Sequence, residues 1–497
     1  MSNNSIVETH SRSLDPSDWD ATRVVAHRMV DDMIAYLESV RSREPWKPVP
    51  AAVRDRLNEN VPRAGSSLES VYDAFQKDIL PYPTGNIHPR FWGWVMGTGT
   101  LTGALADFLA ATMNSHVAGY DQSAAVLEKV VCRWLVELMG FPLESSSLLV
   151  SGGTAANVNG LTAGVVTKAG FDFRTFGARG GPQLTVYGSS ETHSWLAKAC
   201  ESLGLGRIAF REVPSDPSFR IDLKVCEEQI INDIARGFRP TCVVANAGTV
   251  NTGAIDNLVA ARQLADRFQL WLHVDGAFGS LAAWGKHRHL VEDQKLADSL
   301  AFDLHKWGYM PYEVGVVITR DPDAQLRAYG PSAEKAAPSY LHSVRRGISV
   351  DTTYFADRGQ QLSRGFRALK VWMSMKEQGV DKIAAAIDEN IRQAKRLSQL
   401  IEATPGLQLL APVELNVVCF RYVASDSTPE NTNALNATIL LALQERGIAV
   451  PSQTTIQGRF AIRVCITNHR SVDSDFDRLV SAVVDLGLEL SNSDGRS

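Results

Sequence analysis

Four short stretches of this chain combine residue types that could do chemistry. In Asp303-Leu304-His305-Lys306-Trp307 a lysine stands among apolar and aromatic neighbours. Desolvation there would favour the neutral amine, the form able to condense with a carbonyl as a Schiff base, whereas most lysines are solvated surface charges. His273-Val274-Asp275-Gly276-Ala277 closes an apolar run on an acid. A carboxylate so placed needs a cation such as a protonated ring nitrogen, unless it caps the next segment or pairs with a structural arginine. Ser151-Gly152-Gly153-Thr154-Ala155-Ala156-Asn157 joins an expected strand to an expected helix. Free N–H groups and the helix dipole would welcome an anion, phosphate above all, although glycine turns capped by threonine are often purely structural. His193, after the run LTVYGS, could stack on a ring or serve structurally. With no H-x-x-x-H and no cysteine cluster beside it, a metal site is not expected.

These stretches need elements to carry them. SLLVSGG (147–153), LTVYGS (184–189), CVVANAG (242–248), LWLHVDGA (270–277) and VGVVIT (314–319) are short apolar runs separated by helix-length segments. That alternation predicts a mostly parallel sheet covered on both faces, with ligands gathered at the carboxyl ends of its strands. Between Asp275 and Lys306 there is room for one strand–turn–strand excursion, enough to bring both to one crevice. Upstream, Val25, Met29, Met33, Ile34, Leu37 and Val40 recur at three- and four-residue steps, predicting an amphipathic helix from Asp18 to about Arg41. The Pro- and Gly-containing stretch 329–360 reads as a long loop of functional interest or local disorder. Helices are expected at Leu362–Lys376, Asp381–Ala403 and Thr432–Arg446, and LQLLAP, NVVCFRY, GIAVP and FAIRVCI complete a small α+β C-terminal domain. The divisions expected are a helical segment over 1–85, a large domain over 86–360 and a small domain over 361–497.

With 497 residues, 44% hydrophobic and 21% charged, the chain can bury a sizeable core, and a formal net charge of -5 gives no sign of a nucleic-acid partner. Cys132, Cys200, Cys226, Cys242, Cys419 and Cys465 are scattered without a C-x-x-C pair, so buried thiols are expected rather than disulfides or zinc. No apolar run is long enough to span a bilayer, and a cytoplasmic protein is the expectation.

Taken in order, SGGTAANVNG, ETHSWLAKA, HVDGAFG and DSLAFDLHKWGYMPYEVGVV resemble the group II pyridoxal-phosphate (PLP) dependent decarboxylases, which include the aromatic-amino-acid and glutamate decarboxylases. The likeness runs from His88 in HPRFWGWV, through LSRGFRALKVW (362–372), to RVCITNHR (463–470). It implies the aspartate-aminotransferase-like fold (fold type I), a large PLP-binding domain over 86–360, and a homodimer with shared active sites. It also implies decarboxylation of an L-amino acid to the amine and carbon dioxide. By the same resemblance Lys306 holds PLP as a Schiff base, Asp275 salt-bridges the pyridinium, and Ala277 and His193 lie against the two ring faces. Gly153 and Thr154 match the phosphate turn, while Thr249, Asp303 and His305 help to hold the cofactor. Tyr340, in APSYL, matches the loop tyrosine that delivers the proton to Cα.

Three other functions compete with this reading. A decarboxylating oxidative deaminase shares the early steps, but its aldehyde-forming members often replace the loop tyrosine or the stacking histidine, so Tyr340 and His193 favour the amine. An aminotransferase fits the Asp-Leu-His-Lys-Trp context less well, and a catalytically silent scaffold would not need Lys306, Asp275 and His193 together. Trp94-Val95-Met96-Gly97 and the segment Asn114–Tyr120 depart from the aromatic-decarboxylase pattern. Trp92, Trp94 and Val95 could line an apolar pocket or pack the core, and His116 and Tyr120 could meet a polar substrate. An aromatic L-amino acid is favoured over acidic or aliphatic ones, with no unpaired arginine assignable to a distal carboxylate.

Overall fold

In the computed structural model, which describes residues 13–331, 347–349, 353–425 and 427–493, the apolar runs become the strands of one large sheet. These are β1 (Ser146–Val150), β2 (Leu184–Ser189), β3 (Phe210–Val213), β4 (Arg239–Asn246), β5 (Trp271–Asp275), β6 (Ser299–Asp303) and β7 (Gly315–Thr319). Their order is β1-β7-β6-β5-β4-β2-β3. Only β7 runs against its neighbours, so β1, β2, β4, β5 and β6 all end on one edge. A second sheet is antiparallel throughout, with β8 (Leu407–Leu409), β9 (Val417–Tyr422), β10 (Ser452–Ile456) and β11 (Arg459–Cys465) in the order β10-β11-β9-β8.

The two faces of β5 show how the sequence distributes core and site. All five residues are buried, and the period of two sends them to opposite sides. Leu272 and Val274 join the core that includes Cys226 and Ile230 of helix Leu223–Ala235 and Ala261 and Leu264 of helix Leu258–Arg267. Trp271 and His273 instead face helix Gly153–Lys168, which lies very close to the sheet. A Cβ at Gly160 would stand 2.8 Å from His273, and one at Gly164 would stand 2.6 Å from Trp271. Glycine four residues apart lets the helix settle there, at a cost in intrinsic helix propensity.

The structure differs from the sequence reading in several elements. β3 and β6 were not anticipated, because FREV and SLAFD are short and carry polar residues. GIAVP is not a strand. Its Val450 makes an isolated bridge with Phe91, and the strand is the polar run SQTTI just beyond it. The helix expected from Leu362 begins at Ala368, since Arg364 is drawn elsewhere: its main-chain N–H reaches His116 Nδ1, and its guanidinium donates to the carbonyls of Val117 and Leu149. The closing helix Asp473–Ser493 was also not anticipated. The first helix among the described residues is Trp19–Glu38, capped by Asp18, and none of its residues is buried. Of the loop expected at 329–360, residues 332–346 and 350–352 lie outside the described residues, and with them Tyr340.

A second core lies under the small sheet and contains Leu397, Phe420, Ile439 and Phe476. Trp92 belongs to it: it is 1% exposed, stacks on Phe476 at 4.9 Å, and donates its indole N–H to Ser471. Of its two expected roles, packing is the one observed.

Arg364 also pairs with Glu128, and both side chains are buried. Burial pushes the Glu128 carboxyl up, against the pull of Arg364. Removing one partner strands a charge, so Arg364→Met is expected to cost about 3–5 kcal/mol, read from the shift of the urea midpoint, and adding Glu128→Gln is expected to recover most of it. An Arg364→Met chain as stable as wild type would show the pair to be dispensable.

Candidate active site

Where the parallel strands end together, their following turns surround a cavity of about 300 Å³. β1 leads through Gly152 into helix Gly153–Lys168, whose N-cap has no side chain bonded to the first-turn N–H groups. β2 leads to His193, β5 ends on Asp275, and β6 ends on Asp303, three residues before Lys306. Gly153, Thr154, His193, Asp275, Ala277 and Lys306 all line the cavity.

Lys306 carries the clearest electrostatic signature. Its Nζ is 2.8 Å from Asp303 Oδ2, a carboxylate wholly withdrawn from solvent. Burial draws the lysine pKa down, but the nearby Asp303, with Asp275 behind it, outweighs that effect, and the net displacement is upward. This corrects the sequence reading, in which desolvation alone left a neutral amine. His305 lies behind the lysine. Its Nδ1 accepts from the Val314 N–H at 3.1 Å, its Nε2 is 3.8 Å from Asp303, and its ring packs on Tyr312 at 4.4 Å. Desolvation holds its pKa low despite Asp303.

Asp275 is 5% exposed. Its Oδ2 accepts from Trp195 Nε1 at 2.7 Å and its Oδ1 from the Ala277 N–H at 3.1 Å. It has no ion-pair partner among the described residues, so a buried carboxylate faces the cavity with only neutral donors. His193 accepts from the Trp195 N–H at Nδ1, leaving Nε2 for the cavity. Its pKa is lowered first by desolvation, against Asp275, with Lys306 adding to the fall. Thr249 is buried within its own turn, where its hydroxyl meets Thr252 and the Ala254 N–H, and it is not among the residues lining the cavity.

Several lining residues escaped the sequence reading. Asn246 at the end of β4 is held by Asp256, a buried acid whose pKa burial pushes up to about 6. Ser452, Gln453 and Arg463, from the small sheet, were missed as well, whereas Trp94 and Val95, expected to line a pocket or pack the core, do line the cavity. Arg463 is 3% exposed and donates to the carbonyls of Trp94, Val250 and Asn251. It pairs with no carboxylate among the described residues. Gly97 passes directly over the lysine, where a Cβ would stand 2.0 Å from the carbonyl oxygen of His305 and 2.5 Å from that of Lys306. Asn157 and Arg463 stand in stretches singled out for their motifs, but their types there signalled nothing. No group of His, Cys, Asp and Glu among the described residues is arranged to hold a metal ion.

A lysine beside two buried carboxylates, a free helix N-terminus and a mostly parallel sheet together define a pyridoxal-phosphate enzyme of fold type I. Asp275 offers the charge that a pyridinium requires, and the uncapped first turn offers donors for a phosphate. Residues 50–423 match the model of the pyridoxal-dependent decarboxylase conserved domain, and the chain belongs to this family. It is a PLP-dependent amino-acid decarboxylase.

Among its relatives, the aromatic-L-amino-acid decarboxylase of Bacillus atrophaeus is 29% identical over 95% of this chain and 96% of its own length. The phenylacetaldehyde synthase of Arabidopsis thaliana is 27% identical over 91% and 93%. The crystal structure of Oryza sativa TDC with PLP and tryptamine superposes with a TM-score of 0.87 at 23% identity, covering 96% of this chain and all of that one, and shows the shared fold.

Because Gly97 touches the Lys306 backbone, Gly97→Ala is expected to displace the lysine and weaken PLP binding at least roughly tenfold, measured by absorbance titration of the cofactor-free chain. Wild-type affinity would show that the segment yields without cost.

Proposed function

We propose that this decarboxylase acts on an aromatic L-amino acid and releases the amine with carbon dioxide. The observation that carries this reading is the make-up of the cavity wall. Trp94, Val95 and Phe278 present apolar and aromatic surface, while Arg463 is a buried cation without a carboxylate partner among the described residues. A ring would rest against the first group and the α-carboxylate would be drawn to the second. The names of the relatives point the same way.

Bound PLP supplies an electron sink for the bond to the departing carboxylate. Lys306 is the amine that anchors it, held ready by Asp303, with His305 behind. Asp275 keeps a proton on the ring nitrogen, and Trp195 holds Asp275 in place. Ala277 and His193, both on the cavity wall, would lie against the two faces of the ring. Gly153 and Thr154 offer the helix N-terminus to the phosphate, and Thr249 shapes the turn beside it. Tyr340 gives the proton to Cα. With this tyrosine and His193 both present, the amine rather than the aldehyde is the product.

The test is product analysis under air, with purified PLP-loaded protein and a panel of L-amino acids. Aromatic substrates are expected to yield carbon dioxide and amine in equal amounts, with turnover falling roughly a thousandfold or more in Lys306→Ala. Tyr340→Phe is expected to lose amine and gain aldehyde. Aldehyde and peroxide from the wild type would move the assignment to oxidative deamination, and a preference for acidic substrates would overturn the aromatic reading.

The same proposal includes a homodimer with shared sites. Helix Leu101–Met113 exposes Leu101, Leu105, Phe108, Leu109 and Met113, and Trp19 of the first helix is 60% exposed. So much apolar surface favours cover by a second copy. Phe108→Asp with Leu105→Asp is expected to shift sedimentation from dimer to monomer, and an unchanged dimer would exclude this face. A cytoplasmic location is supported by six cysteines that are all free. No helix among the described residues is long and apolar enough to cross a membrane.

A further inference from the structure

One polar residue of the cavity wall has no role in the mechanism above. Asn157 lies in helix Gly153–Lys168, is 1% exposed, and lines the cavity. Its Oδ1 is 2.7 Å from Nε2 of His273. His273 is fully buried on β5, two residues before Asp275, and its Nδ1 is 2.7 Å from Ser299 Oγ. Ser299 Oγ in turn receives the Trp271 indole N–H at 2.7 Å.

Donor and acceptor capacities give this chain a direction. An indole nitrogen only donates, so Ser299 accepts from Trp271 and keeps one proton to give. No other acceptor for that proton stands among the described residues, and it goes to His273 Nδ1. An imidazole that accepts at Nδ1 donates at Nε2, provided it is neutral. Desolvation secures neutrality by taking the His273 pKa to about 4, against the pull of Asp275. Asn157 must then turn its oxygen toward the histidine, which leaves the amide Nδ2 without a partner among the described residues, on the cavity side.

We propose that Asn157 is a further cofactor-contacting residue, a hydrogen-bond donor from Nδ2 to an anionic oxygen of bound PLP, and that Trp271, Ser299 and His273 are positioning residues that fix which end of its amide faces the cavity. The proposal rests on the cofactor and not on the identity of the substrate. An acceptor-only group at this position would meet PLP oxygens with repulsion. The relay prevents that by excluding the flipped amide, and because no charge is involved it adds nothing to the negative charge of Asp275 and Asp303.

The test is titration of the cofactor-free chain with PLP in the absence of any amino acid, so its outcome is independent of the substrate assignment. Asn157→Leu keeps the side-chain shape and removes the donor. It is expected to raise the PLP Kd roughly tenfold to a hundredfold and to shift the visible absorption of the bound cofactor. His273→Gln places an amide nitrogen near the position of Nε2 and is expected to keep Kd near wild type. His273→Asn reaches only the Ser299 end and is expected to weaken binding as Asn157→Leu does. Ser299→Ala, the smallest change, releases the choice of tautomer and is expected to raise Kd several-fold, and it serves if the larger substitutions fail to fold. Thermal unfolding of the cofactor-free variants is run in parallel. Wild-type Kd and spectrum in Asn157→Leu or, where that chain does not fold, in Ser299→Ala would overturn the proposal. So would His273→Gln and His273→Asn weakening binding equally, or lowered stability with unchanged Kd, which would mark a merely structural network.

Discussion

Two carboxylates withdrawn from water at the ends of neighbouring strands, Asp275 on β5 and Asp303 on β6, set the conditions that the rest of the site must meet. Buried charge is costly, and each acid is tolerated only because its surroundings supply positive potential or donors. Asp303 has the Lys306 ammonium at contact distance. Asp275 has an indole N–H and one main-chain N–H, both neutral, and so keeps an unmet demand for a cation. A protonated ring nitrogen held at Asp275 would meet that demand. Asp275 would hold the ring and Asp303 would hold the lysine, each acid having its own task.

The sheet makes this proximity possible, and much of it was legible from sequence. Runs such as LLV and LTVYGS are apolar almost without interruption because strands covered on both faces have no water side. That pattern revealed five of the seven strands of the large sheet and placed Asp275, His193 and the glycine turn at their carboxyl ends. The order of four motifs added the fold and the cofactor. What stayed hidden depended on contacts that only the folded chain makes. The sign of the Lys306 shift follows from a carboxylate three residues away, whose side chain turns back onto it only in the folded turn. Trp92 and Trp94, two positions apart, go to different places, one into the core under the small sheet and the other to the cavity wall. Composition does not distinguish them.

Arg463 shows the same limit at longer range. It belongs to β11 of the small sheet, yet it gathers the main-chain oxygens of Trp94 and of the neighbours Val250 and Asn251, two segments far apart along the chain. Carbonyl dipoles partly offset the cost of its burial without neutralising it, and its charge stays available to the cavity. A single guanidinium thus joins two distant stretches of backbone to its own strand and contributes to the pocket's field, which no local motif around RVCITNHR announces.

The seating of helix Gly153–Lys168 bears on how such an enzyme can diversify. With Gly160 and Gly164 pressed against His273 and Trp271, the helix has little room to slide or tilt, and the turn at its N-terminus is tied to the sheet through it. That wall of the pocket is closed to gradual remodelling. The side formed by Trp94, Val95 and Gln453 comes from loop and small-sheet residues, and there the main chain is held, by Arg463 at Trp94 and by the close approach of Gly97 to Lys306, while the side chains lie outside the helix–sheet contact. New substrate preferences would therefore arise by changes on one flank, while the other conserves the chemistry.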